Sequence, residues 1–207
     1  MSDFSLVVLV SGRGSNLQAI LKAIDQDLIP ARITAVFSDQ QAAKALNFAR
    51  ERGIEAHWVD PRSFQNKADY ERNLMERIQV FHPNCIVLAG FMRVLSPWFV
   101  RNVACPIINI HPSLLPAFPG LDAQQQALEA GVRFSGCTVH FVNEGVDTGP
   151  IIMQRVVPVL SSDTVETLAD RILQEEHRLF PKVVEWIARG LISVEAGKVI
   201  IPEEAFH

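Results

Sequence analysis

The sequence predicts an α/β fold: a mostly parallel, twisted sheet with an antiparallel strand pair in its C-terminal half and helices on both faces. Two observations carry this. From residue 5 to about residue 130, short apolar runs rich in β-branched residues alternate with stretches of helical period, as in parallel strands joined by crossover helices. Further on, the strands expected at 137–142 and 151–157 are separated only by residues 143–150. That gap is too short for a crossover helix, so these two strands should be antiparallel.

Residues 5–10 form a continuous apolar run and predict the first strand. Ser11, Gly12, Arg13, Gly14, Ser15 and Asn16 follow at once, and Leu17, Ile20, Leu21 and Ile24 then recur at helical spacing. In such a strand, glycine loop and helix, the glycines let the backbone approach an anion. The helix start adds free N–H groups and a partial positive charge. One phosphate suits this loop, helped by the Ser15 hydroxyl and the Asn16 amide. The plainer alternative is a tight turn with Ser15 or Asn16 as a helix cap. The dinucleotide fingerprint would need a third glycine where Leu17 stands, and there is no P-loop Lys-Ser/Thr pair.

A second strand is expected at 33–37, a helix at 42–52 stopped by Gly53, and a short strand at 55–59. Tyr70, Leu74, Ile78 and Phe81 mark the next helix, and 85–89 a central strand. Pro97 can open a short helix containing Trp98, Phe99 and Val100. Residues 107–110 read as a buried strand ended by His111 and Pro112. A helix at 123–130 leads to Gly131. Residues 164–189 form a long helix, with Leu168, Ile172, Leu179, Val183 and Ile187 as its apolar stripe and Pro181 expected to kink or interrupt it. A small hairpin around Ala196 and Gly197 is expected at 191–201.

The 207 residues suit a single domain, 1–207, with a sizeable core. Hydrophobic content of 48% argues against disorder, and a net charge of −4 without a basic run gives no support for nucleic-acid binding. No signal peptide is read at the N-terminus, and no apolar run reaches the ~20 residues needed to span a bilayer. Cys85, Cys105 and Cys137 are scattered and match neither a disulfide framework nor a zinc site, so a cytoplasmic location is expected.

Asn109 and His111 are two apart and so share one face of their strand. They put an amide and an imidazole at a strand's carboxyl end, where open α/β sheets bind ligands. Asp147 lies in the loop ahead of Gly149 and Pro150; its default reading is structural. If it meets His111, the carboxylate favours the imidazolium, which beside an amide can stabilise an oxyanion. His140 is a rival base, expected to be a packed supporting residue. There is no Gly-x-Ser-x-Gly elbow and no His-Glu-x-x-His, so the chemistry read here needs neither a covalent intermediate nor a metal. It suits attack by a substrate's own nucleophile on a polarised carbonyl.

Four segments together carry a specific resemblance: Ser11-Gly12-Arg13-Gly14-Ser15-Asn16-Leu17-Gln18, Leu88-Ala89-Gly90-Phe91-Met92-Arg93, Asn109-Ile110-His111-Pro112-Ser113-Leu114-Leu115-Pro116 and Asp147-Thr148-Gly149-Pro150-Ile151. They resemble the phosphoribosylglycinamide formyltransferase family, in order and over almost the whole chain. The resemblance implies a Rossmann-like formyltransferase fold. It also implies transfer of a formyl group from 10-formyltetrahydrofolate, as co-substrate, to the amine of N1-(5-phospho-D-ribosyl)glycinamide (GAR) in purine synthesis, without a metal. The implied partners are these small molecules, with no nucleic acid and no membrane, in a monomer or homodimer.

By the same resemblance Asn109 and His111 are the formyl-activating pair and Asp147 the acid that tunes the histidine. Gly14, Ser15 and Asn16 hold the substrate phosphate. Met92, Arg93, Val94 and Leu95, together with Asn143, Glu144, Gly145, Val146 and Asp147, form the folate pocket, with Asn109 beside it. Gln174, Glu175 and Glu176 fall in the segment facing the ribonucleotide, Glu176 being the expected contact, although its position alone suggests a solvated helix face. Three departures stand out. Lys67 replaces an arginine near the folate tail and cannot make a bidentate fork. Residues 121–125 replace a histidine-rich run, and Thr148 stands where a second glycine is common.

Related formyl-folate activities are weighed against this. Transfer to methionyl-tRNA would call for a further C-terminal domain and a basic surface, and hydrolysis of formyltetrahydrofolate for an N-terminal regulatory domain. A sugar-nucleotide formyltransferase is opposed chiefly by the glycine loop. A non-catalytic nucleotide-binding module is the rival of a different class.

Overall fold

The computed structural model describes residues 4–201 and 203. All six residues of β1 (Ser5–Val10) are buried, as a strand covered on both faces requires. β1 pairs in parallel with β2 (Arg32–Ser38) on one edge and with β4 (Cys85–Leu88) on the other; β2 pairs in parallel with β3 (Glu55–Trp58). The chain resolves into two units whose boundary lies inside β5 (Ile107–His111), between Ile108 and Asn109. In the first unit the strand order is β3-β2-β1-β4-β5. The order reverses between β1 and β4, and loops leaving the carboxyl ends of these two strands flank a ligand crevice in folds of this kind. α1 (Ser15–Asp25), α2 (Lys44–Glu51), α3 (Lys67–Gln79) and α4 (Pro97–Asn102) connect the strands.

The second unit takes up β5 at Asn109 and continues through α5 (Ala123–Glu129) to β6 (Phe134–Phe141) and β7 (Ile151–Pro158). β6 and β7 are antiparallel, as the short gap between them requires, and α6 (Val165–Ala188) packs on both. The described chain closes with a hairpin of β8 (Ser193–Glu195) and β9 (Lys198–Ile200). Its turn places Ala196 and Gly197 at φ +48° and +77°, the left-handed pair that a two-residue hairpin demands.

The elements fall within a few residues of where the sequence places them, and three of the differences have a visible cause. α2 begins at Lys44 rather than 42, because residues 41–42 first make a turn. β6 starts three residues earlier than its apolar run, because Phe134 pairs with Pro158 although it faces solvent. α6 runs without interruption through Pro181. A mid-helix proline removes one backbone hydrogen bond. Here Leu179, Phe180, Val183 and Val184 are buried on either side of it, and that packing outweighs the loss. Thr164 and Thr167 start the helix with a reciprocal cap. No helix among the described residues is long and apolar enough to cross a membrane.

Candidate active site

In the first unit the glycine loop leaves β1 and enters α1 through Gly14, which caps the helix at φ +76° without any side-chain cap. The alternative in which Ser15 or Asn16 caps the helix is thus not what forms. The first turn carries no acidic residue either, so the partial positive charge of the helix start suits an anion. Gly14 is doubly required. Its φ is left-handed, and a Cβ there would lie 2.6 Å from the Ala45 Cβ. Ala45 N–H also donates to the Gly12 carbonyl at 3.2 Å, tying the loop to α2. Ser15 is half-buried and Asn16 buried at the start of α1.

Residues 92–95 follow β4 and are braced at three points. The Met92 N–H donates to Ser11 Oγ at 2.9 Å. The Arg93 guanidinium lies 5.2 Å from the centre of the Tyr70 ring, a cation–π contact. Beyond Leu95, which is buried, Ser96 gives its N–H (2.9 Å) and its hydroxyl to the buried Glu71 carboxylate. Lys67 Nζ lies 3.7 Å from the same carboxylate, so Lys67 stands beside this loop with its ammonium half exposed. Met92 and Val94 are exposed apolar side chains.

The second unit brings Asn109, His111 and Asp147 together. His111 is buried; its Nδ1 lies 3.3 Å from Asp147 Oδ2 and its Nε2 2.8 Å from the Phe118 carbonyl. Both partners are acceptors, so each ring nitrogen faces an oxygen. Asp147 sits at φ +54° and also accepts the Gly120 N–H at 2.8 Å. His140, on β6, completes the cluster. Its Nδ1 donates to the Phe141 carbonyl at 2.9 Å, leaving Nε2 to accept from Asn109 Nδ2 at 3.3 Å. Burial, the largest cause, pushes His140 below the usual histidine value, consistent with this neutral ring. Asp147 Oδ1 lies 3.6 Å from His140 Nε2, a contact rather than a hydrogen bond.

Asn109 thus spends one amide hydrogen on His140 and keeps the second for a ligand. An imidazole facing a carboxylate, beside an amide with an N–H to spare in a largely buried setting, suits an oxyanion growing on a carbonyl. The sequence treated His140 as a packed support; the structure makes it the group that orients Asn109. The alternation of β6 held the signal, because Thr138 and His140 share a face. Thr138 Oγ1 donates to the Ser113 carbonyl (2.7 Å) and accepts the Leu115 N–H (3.0 Å), which anchors the run after His111 on that face.

Residues 143–147 form an exposed loop with an internal brace. Asn143 Oδ1 accepts from the Gly145 N–H at 3.1 Å and from the Thr148 hydroxyl at 2.9 Å. Thr148 therefore gives back a hydrogen bond where a glycine would give flexibility. Glu144, Gly145 and Val146 are exposed. Glu176 corrects an expectation: it is buried, not on a solvated face. It falls four residues after Ile172 and three before Leu179, on the buried stripe, a spacing visible in the sequence. Its charge is felt by the buried Cys137, whose thiol is pushed up to about 12, mainly by burial. Glu175, next to it, is engaged with Arg178 at 2.6 Å.

The family model described as formyl transferase matches residues 4–184. The chain is 43% identical over 190 residues to the phosphoribosylglycinamide formyltransferase of Escherichia coli (strain K12), covering 92% of this chain and 90% of that one. It is 42% identical over 195 residues to the trifunctional purine biosynthetic protein adenosine-3 of Bos taurus, covering 94% of this chain and 19% of that protein. Among solved structures, glycinamide ribonucleotide transformylase 1 from Symbiobacterium toebii aligns with a TM-score of 0.93 at 46% identity, over 97% of this chain and 94% of that chain.

Proposed function

The chain belongs to the formyl transferase family, and from that premise we propose that it transfers the formyl group of 10-formyltetrahydrofolate to the amine of GAR, a step of purine synthesis. The observation that carries this reading is the Asn109, His111 and Asp147 cluster with neutral His140 behind it. The amine attacks the formyl carbon, and a tetrahedral oxyanion forms. Asn109 donates its free N–H to that oxygen, and His111 supplies positive charge close by. Both His111 nitrogens already have protein partners, so it acts through charge while those bonds hold. Collapse breaks the bond from carbon to the folate nitrogen. The proton lost by the amine passes by way of Asp147, directly or through a water, to that nitrogen.

Gly14, Ser15 and Asn16 hold the substrate phosphate on the uncapped start of α1, and Glu176 contacts the ribonucleotide. Residues 92–95 and 143–147 take the pterin, largely through backbone groups, and Lys67 meets the folate tail. No metal enters this scheme. The chain acts as one formyltransferase domain in the cytoplasm, as a monomer or homodimer.

The test is a turnover assay with GAR and a 10-formyl folate, following absorbance of the deformylated product, with a control lacking acceptor. Acceptor-dependent release is expected. Equal release without acceptor would identify a hydrolase and overturn the reading; no release with GAR would overturn GAR as the acceptor.

A further inference from the structure

Ser11 is the last residue before the glycine loop, and its three hydrogen bonds reach two other segments, the run after β4 and the end of β2. Its N–H donates to the Gly90 carbonyl at 2.9 Å, its hydroxyl donates to Asp39 Oδ1 at 2.6 Å, and the same oxygen accepts the Met92 N–H at 2.9 Å. Asp39 is buried just past the end of β2, and its second oxygen accepts from Gln40 Nε2 at 3.0 Å. A hydroxyl has one proton. The carboxylate takes it in a short, charge-assisted bond, which leaves an Oγ lone pair facing Met92. Neither Ser11 nor Asp39 has a role in the chemistry derived above.

We propose that Ser11, oriented by Asp39, is a positioning residue that locks the folate-binding segment at 92–95 to the phosphate-binding glycine loop, so that occupancy of either segment favours binding at the other. The inference rests on the functional reading above. β1 and β4 are neighbours, so the loops leaving their carboxyl ends emerge side by side. Strand pairing sets the distance between those loops but not the direction of the Met92 amide. Ser11 Oγ sets that direction. Asp39 makes the lock stiff, because a serine without the carboxylate could turn its proton toward Met92 and lose the bond. Because one brace spans both loops, a ligand that holds either loop still also steadies the other, so the second ligand loses less freedom on binding.

The experiment compares the unsubstituted protein with Ser11→Ala, Asp39→Ala and Ser11→Thr. Three things are read: KM for the 10-formyl folate against kcat, folate Kd with and without saturating GAR, and amide exchange at Met92. Ser11→Ala should raise folate KM about tenfold with kcat within about threefold, the scale of one lost bond in a charged network. It should also abolish the effect of GAR on folate Kd and speed exchange at Met92. Asp39→Ala should do the same to a smaller degree, and Ser11→Thr should restore all three readouts. An Ala variant that keeps folate KM, coupling and Met92 protection overturns the proposal. So does a parallel loss of kcat and thermal stability that Thr fails to rescue, because that is a merely structural role. If the unsubstituted protein binds neither folate nor GAR, the functional reading falls and the coupling with it. Activity with unchanged Ser11→Ala kinetics removes the coupling alone.

Discussion

In the glycine loop the functional groups are backbone amides, and the residues that place them are consecutive in the chain: a buried strand, Gly14 in a left-handed turn, and an uncapped helix start. In the Asn109, His111 and Asp147 cluster the functional groups are side chains from β5 and from the loop after β6, oriented by His140 and by the carbonyl of Phe118. The first is steric and local, so a single added methyl group should damage it. The second is electrostatic and tertiary, so it should tolerate changes of shape that preserve charge and fail when one charge is removed.

The largest effect should follow removal of the Asp147 charge. Asp147→Asn keeps an oxygen for the Gly120 N–H but withdraws the anion facing His111. We expect kcat to fall about 10²–10³-fold, with either KM changed by less than about threefold. Near-normal turnover would sink the role given to Asp147.

Next comes Gly14→Ala, which meets both a left-handed φ and the Ala45 Cβ at 2.6 Å. The expected cost is about 1–3 kcal/mol in thermal or urea unfolding, with GAR KM up about tenfold and folate KM little changed. Adding Ala45→Gly should recover GAR binding in part by making room. A double variant no better than the single would assign the damage to φ alone.

A smaller effect concerns acid. His57, His140 and His177 are each held below the ordinary histidine value of 6.5, with burial the largest cause in every case. The unfolded chain therefore takes up protons at a higher pH than the folded one. The stability these residues confer is complete above about 6.5 and declines as pH falls through and below it. Unfolding midpoints measured from pH 7.5 down to 5 should drop, and His177→Gln should flatten the lower part of the curve. A flat profile in the unsubstituted protein would contradict the burial argument.

The smallest effect should come from Lys67. Its ammonium is half exposed and stands 3.7 Å from Glu71. Lys67→Arg should change folate KM by less than about threefold in either direction, and Lys67→Ala should raise it only a few-fold, with thermal stability unmoved. A tenfold change in KM would make this contact a principal determinant of folate binding.

Much of the fold was legible because hydrophobic period is a local property of the chain. Alternating apolar strands and amphipathic helices locate β1 to β7 and α1 to α6 within a few residues, and the short gap after β6 dictates the antiparallel pair. The hairpin around Ala196 and Gly197 was legible as well. Pro181 does not interrupt α6: local propensity registers the lost hydrogen bond but not the packing that surrounds it. Asn109 and His111 were visible as a pair on one strand face. What the tertiary structure alone decided was who stands opposite whom. It put the Asp147 carboxylate against His111, gave Asn109's amide to His140 and tied Met92 to Ser11. Each of these is a directional contact between segments far apart in the chain. Periodicity says which face a residue turns inward, whereas hydrogen bonds depend on which atoms then meet there.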